Sequence, residues 1–326
     1  MIRFIALAVS VLTLAAQDGP HGWPANLKIS SEVFMGKPVA YWKGALIRPS
    51  DDERPGAAVP LIFNGAGEQK STSLTIPDAD RVVVRDSAVS DSRVVAFCGD
   101  AAMKSGEVAG FVALSDFGGR MLWIIQTNPY HPLLITFGPN NTIWVIGQNG
   151  EDGHPTLADH FVFRIISQDG RSVGSHTLRS AFGGVGALHL GMSPKLGTSA
   201  LVASLDRVGL YHAREKRWTE FGPDGTWLGS WTLPLPTYQN NGQTFEIPLQ
   251  TVLLTPDNRV LAYFFGRVRG RGFYELSRSD GTWLRRDDLN SNQNLAGVPI
   301  GIEGNQILLQ SEPENGNEVF KWRPLN

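Results

Sequence analysis

Cysteine is almost missing from this chain: Cys98 stands alone among 326 residues. No disulfide can close within it, so its stability has to come from packing. Cys98 sits in the apolar run RVVAFCG, where an inert buried thiol is expected rather than a nucleophile. Charge of one sign is also lacking. Lys and Arg number 29 against 31 Asp and Glu, for a net charge of -2, which supplies no overall field for nucleic acid or an anionic membrane surface. No nucleic-acid partner is expected. Long apolar runs are absent beyond the N-terminus, and helical periodicity is absent throughout, which argues against a membrane span in the processed chain and against a helical fold.

What is present begins with a targeting pattern. Arg3 precedes the apolar stretch FIALAVSVLTLAA from Phe4 to Ala16, which is too short to span a membrane comfortably and ends in small residues, as a secretory signal does. Residues 1–16 are therefore expected to be a cleaved signal peptide, and the protein to be secreted or periplasmic. No cysteine adjoins the cleavage region, which argues against a lipid anchor. With 42% hydrophobic residues, the remainder can bury a large core. The 36 glycines and 20 prolines point to many turns between short strands.

The pentapeptide DGTWL occurs at 224–228 and again at 280–284. Weaker relatives place turn glycines at 119 and 170 as well, giving intervals of 51, 55 and 56 residues along 119, 170, 225 and 281. Spacings of this size mark repeat architectures. A second landmark, two apolar runs around a polar turn, recurs at Asp91, Pro139, Pro194, Pro256 and Gly304. Each period then holds two hairpins, or four antiparallel strands, the sequence form of a propeller blade. The stretch LTPDNRVLAYF and the Asp-Gly turns resemble those of secreted bacterial β-propellers of the six-bladed, NHL-like and TolB-like kind, over residues 81–326. The expected fold is all-β, a propeller of four-stranded antiparallel blades, six in number, with five or seven as alternatives.

In this reading each Asp-Gly corner joins strand C to outer strand D, while the prolines mark A–B turns. Trp227 and Trp283 open strand D and cover the neighbouring blade. After the last A–B hairpin only EVFKWRP follows, so its blade lacks a strand. NLKISSEVF or AVPLIFNG, from N-terminal residues 17–80, is expected to supply it and close the ring. The same N-terminal segment has room for one further blade, while 81–326 carries five repeats of a single domain.

Function is expected on the face where B–C and D–A connections meet. There GQNGEDGHPTLADH gathers Glu151, Asp152, His154, Asp159 and His160, donors suited to a divalent cation but without a recognised metal-binding spacing. His131 in NPYHP approaches the same face. GRVRGRG alternates Arg267, Arg269 and Arg271, which on an extended segment point to one side and suit an anion. The long connection 233–249 carries Tyr238 over the channel mouth. GRSVG at 170–174 matches a nucleophile-elbow pattern but lies on a C–D turn, so Ser172 is not expected to attack anything. GAGEQKS at 65–71 has the wrong spacing for a phosphate loop.

These residues point to an exported, non-catalytic propeller that binds a protein, glycan or small ligand and needs no cofactor. The alternatives are a metal-dependent hydrolase and a structural subunit of an envelope assembly. Resemblance to six-bladed lactonases implies calcium as the metal of the first alternative, held by carboxylates and Asn from separate blades.

Overall fold

The computed structural model describes residues 19–30, 40–48, 55–65, 67–151, 154–155, 158–182, 199–247, 249–265, 271–286, 289 and 297–325. The expected signal peptide lies outside them. Six antiparallel four-stranded sheets stand around one axis as the blades of a propeller. Blade 1 comprises Ala40–Trp42, Ala45–Arg48, Leu61–Phe63 and Gln69–Ser71; blade 2, Ala79–Val89, Val94–Met103, Val108–Asp116 and Met121–Gln126. Blade 3 runs through Tyr130–Phe137, Ile143–Glu151, Phe161–Ile166 and Ser172–Leu178, and blade 4 through Ala200–Ala203, Val208–His212, Arg217–Phe221 and Trp227–Thr232. Blade 5 is Leu249–Leu254, Val260–Phe265, Arg271–Ser277 and Thr282–Arg285. Blade 6 takes Val298–Glu303, Gln306–Glu314 and Asn317–Pro324, and its outer strand is Asn26–Ser30 from the other end of the chain.

The ring is visible in the contacts of strand A. That strand in each blade touches strand A of the next, from blade 1 to blade 2 and onward until blade 6 meets blade 1. Strands B and C are buried on both faces: Val208–His212 is buried throughout, as is Ala109–Leu114. Outer strands alternate or lie open, as in Trp227–Thr232. The gradient follows from geometry, because a middle strand has a sheet neighbour on either side and a blade on either face.

Closure uses NLKIS. Asn26–Ser30 pairs antiparallel with Asn317–Lys321 in register, and Leu27 and Ile29 turn inward beside Trp23, Tyr41, Phe320 and Trp322. The other expected closing segment, AVPLIFNG, instead gives strand C of blade 1 through Leu61–Phe63. Within GAGEQKS, Gly65, Gly67 and Glu68 then fall at the C–D corner of that blade, with Gly67 at φ 75°.

The twin pentapeptides do turn equivalent corners. Gly225 has φ 85° and Gly281 φ 74°, a conformation that a side chain disfavours. In one copy Asp224 accepts the Thr226 amide at 3.0 Å and its hydroxyl at 2.7 Å; in the other Asp280 accepts from Thr282 at 3.1 and 2.8 Å. The strand pairing beyond the bend differs by one residue, since Phe221 faces Trp227 whereas Leu276 faces Trp283. Both indoles reach the preceding blade. Trp283 Nε1 donates to Thr232 O at 3.1 Å, and the Trp227 ring packs 6.1 Å from Phe182, just after blade 3. Replacing Asp224 or Asp280 with Ala is expected to lower the urea midpoint modestly, since two hydrogen bonds are lost at an exposed turn. Urea unfolding of the single and double variants should show near-additive losses, because the two corners share no partner.

One landmark misled. Pro194 lies outside the described residues, and the A–B turn of blade 4 is Ser204–Arg207, a stretch that by its distance after Pro194 would fall in a B–C connection. The true B–C turn there is 213–216. Blade 4 has shorter strands than blade 3, so an interval of 31 residues from Pro194 to Gly225 matches the spacing in blade 3 by coincidence.

Candidate functional site

The inner strands enclose a channel of about 440 Å3, within the ~300–1,000 Å3 typical of small-molecule sites. Its lining runs from Ser199 and Val298, at the end where D–A connections arrive, to Lys43 and Ile302 at the A–B end. The wall is largely aliphatic. Leu134, Leu201, Val252 and Ile300 contribute to it, and Arg85 and Asp86 interrupt it from blade 2.

Strict alternation along a strand would give the channel every second residue. Bulges change this. Pairing skips Arg85 in blade 2, Leu133 in blade 3, Gln250 in blade 5 and Ile300 in blade 6. The skipped residue stands four places before the last residue of strand A in blades 2, 3 and 5, and three before it in blade 6. Bulges re-aim side chains locally; consecutive residues share the channel wall at Arg85–Asp86–Ser87 and 298–302, and also at 199–203 in blade 4, where the pairing has no bulge.

Arg85 is held from behind. Its Nε donates to Asp100 Oδ2, while the second oxygen of Asp100 lies 2.9 Å from His131 Nδ1. Burial opposes ionisation of Asp100, but the His131 and Arg85 bonds outweigh it and leave the carboxyl below its usual range. With Asp100 ionised, His131 Nδ1 carries the shared proton. The Arg85 side chain remains 48% exposed. Its terminal nitrogens have no other hydrogen-bond partner among the described residues.

Asp86 behaves differently. It accepts the Ser87 amide at 2.8 Å and the Ile135 amide at 2.9 Å. Both bonds favour the anion, yet desolvation prevails and pushes its pKa up to about 7. The folded protein then holds a proton between pH 4 and 7 that the unfolded chain has released, so this group's contribution to stability falls as pH rises through that window. At 1.36 kcal/mol per unit the loss reaches roughly 4 kcal/mol; Asp86 keeps part of its surface on the channel, and water there reduces it. His176 works in the opposite sense. Burial, resisted by Asp224, lowers it to about 4, so stability on its account falls as pH drops below 6.5. Urea midpoints at pH 5 to 8 should therefore show Asp86→Asn gaining on the unaltered protein as pH rises, even where the amide is less stable at pH 5.

The residues singled out in the sequence have mixed positions. His131 joins the Arg85–Asp100 cluster. His160 is a turn residue: its Nε2 accepts the Asn149 amide at 3.0 Å and Nδ1 lies 2.9 Å from Ala158 O. Asp159 accepts the Ser180 amide and hydroxyl at 3.0 and 2.8 Å. Glu151 and His154 are register partners across a short ladder; Asp152 lies outside the described residues. Tyr238 stacks on Phe245, with centroids 5.4 Å apart, in a hairpin formed by Thr237–Asn240 and Gln243–Glu246 within the long connection. Arg271 begins strand C of blade 5, and Arg267 and Arg269 lie outside the described residues. Among the described residues no three of His, Cys, Asp and Glu converge as a metal site.

Arg85 and Asp86 lie within a strand rather than a connection, and Asp100 lies in a stretch that reads as a connection with no spacing that marks it as a site. A signal exists in RVVVRDSAV, where two adjacent charges interrupt an apolar inner strand.

No family model matches the chain, and no curated protein matches it. Solved structures do. A candidate exported protein from Bacteroides fragilis NCTC 9343 aligns over 88% of this chain and 90% of its own, at 9% identity with a TM-score of 0.50. A protein of unknown function from Bacteroides caccae covers 80% and 82%, at 11% identity and TM-score 0.46. The periplasmic gluconolactonase of Pseudomonas aeruginosa covers 83% and 76%, at 14% identity and TM-score 0.44. At such identities the likeness concerns fold alone. Among the described residues, no helix is long and apolar enough to cross a membrane.

Proposed function

We propose that this six-bladed propeller is exported and binds a small ligand in its central channel, without transforming it. One observation carries the reading: an aliphatic channel of about 440 Å3 into which one bulged strand presents an oriented arginine. With Nε engaged by Asp100, the terminal nitrogens of this lining side chain have no hydrogen-bond partner among the described residues. Such convergence of a few polar groups on an apolar cavity is the usual form of a small-molecule site. Export rests on the N-terminal pattern of Arg3 followed by Phe4–Ala16. Nothing in the reading requires a metal.

Thermal-shift screening with a library of metabolites tests it, using the unaltered protein beside Ala200→Trp, which fills the channel from blade 4. A compound that raises Tm in the first and not the second supports the channel. Compounds that stabilise both equally would remove the site to elsewhere. Recovery of a chemically altered ligand after incubation would replace binding with catalysis.

A further inference from the structure

The channel also suggests what kind of ligand it takes. We infer that it accepts an amphiphile with an unbranched or lightly branched apolar body and a single anionic head, a carboxylate for choice, seated on Arg85. The inference rests on the channel-binding reading and adds the ligand's chemistry to it.

Three features lead there. The wall is aliphatic: Tyr41 is the single aromatic residue lining the channel among the described residues, so the flat stacking surfaces that sugars and nucleobases favour are scarce. An alkyl body gains from such a wall by simple removal from water. The charged end is directional. Nε of Arg85 is engaged by Asp100, and Asp100 is engaged in turn by His131. The guanidinium plane is thus fixed while its terminal N–H groups stay open, a fork that matches two carboxylate oxygens. The third feature is the surrounding charge. Lys43, the other cation lining the channel among the described residues, lies at the A–B end, 2.6 Å from Asp91 on the next A–B turn. Arg85 is the lining guanidinium, and with Nε on Asp100 its two terminal nitrogens have no hydrogen-bond partner among the described residues. Asp86, adjacent in the chain, is the one carboxylate on the wall among the described residues. It accepts two backbone amides in a desolvated position, and in its protonated form it does not repel an anion at Arg85.

Two polar residues of blade 5 reinforce the orientation. Gln250 occupies in blade 5 the bulged position that Arg85 occupies in blade 2, and Thr251 follows it on the wall. The head group would meet donors from these positions, and the tail would lie along Leu201, Val252 and Ile300.

The test uses three probes of equal chain length below their micellar concentrations: decanoate, decanol and decyltrimethylammonium, titrated calorimetrically into the mature chain at pH 6.5. Decanoate is expected to bind at least tenfold more tightly than decanol, and the ammonium compound least. Arg85→Met should bring decanoate and decanol to within about threefold of each other, and Arg85→Lys should fall between, since a point charge lacks the planar fork. Ala200→Trp should abolish binding of both decanoate and decanol. Equal affinity of these two for the unaltered protein, a comparison that needs no variant to fold, would overturn the carboxylate inference while leaving the channel reading intact. Binding that Ala200→Trp leaves unchanged, or no binding of any probe, would overturn the inference and count against the channel itself.

Discussion

A chain lacking residues 19–30 is expected to lose its cooperative unfolding transition and to aggregate. Those residues carry the outer strand of blade 6, with five register pairs to Asn317–Lys321. They also carry Trp23, fully buried, and Leu27 and Ile29, each 8% exposed. Trp23 packs edge-on against Tyr41 at 5.8 Å and Trp322 at 6.4 Å, and its Nε1 donates to Gly44 O at 3.1 Å, so it ties blade 6 to blade 1. Three large side chains at about 2–3 kcal/mol each amount to ~6–9 kcal/mol. That is comparable with the whole net stability of ~5–15 kcal/mol usual for a domain. Deletion would also bare the edge of Asn317–Pro324, a template for pairing with other chains. Calorimetry should show no sharp endotherm. A synthetic peptide of residues 19–32 added during refolding should restore one, because the missing strand can dock from outside. Persistence of the native transition without the segment would show that the ring closes otherwise.

The second large effect concerns Glu220, fully buried in strand C of blade 4. Arg278, from the C–D turn of blade 5, donates to both its oxygens at 2.7–3.0 Å. Arg207 donates at 3.0 Å, and Trp218 Nε1 at 2.9 Å. Glu220→Ala leaves two partly buried guanidinium groups without this carboxylate and strands a buried indole N–H. The expected cost is about 3–5 kcal/mol, the range for breaking a buried pair on one side. Glu220→Gln keeps an acceptor for Trp218 and should cost less. Combining Glu220→Ala with Arg278→Met should cost less than the two losses added, since the second removes a charge stranded by the first. Urea denaturation of the four proteins provides the comparison. Strict additivity would mean that the clamp between blades 4 and 5 contributes little.

The ring was legible in the sequence wherever geometry forces a residue type. Positive φ at the C–D corner demands glycine, and so Gly119, Gly170, Gly225 and Gly281 kept their spacing while strands around them varied. Several A–B turns also pass through positive φ, but at 55–65°, where Arg93, Asn140, Asn141 and Asn258 are accommodated and glycine is not forced. No single residue type marks them, which is why Pro194 passed for a member. The closing strand could be anticipated from a blade short of one strand, but the choice of NLKIS over AVPLIFNG depends on Trp23 and Ile29 finding Trp322 and Phe320, a match between distant segments. The site was harder still. Asp100 falls within CGDAAMKSGEVAG, which reads as a loop but is strand as far as Met103 and again from Val108. Its partners Arg85 and His131 come from other strands, so no local pattern could join them.

Repeated bulges on the inner strands bear on how such a scaffold diversifies. A residue that the ladder skips is released from backbone pairing with the strand behind it, so its side chain can change at little cost to the ladder. Arg85, Gln250 and Ile300 are such positions on the channel wall, and of these Arg85 alone is also anchored by Asp100. Exchanging Gln250 or Ile300 would alter what the bore meets while the blades continue to stack.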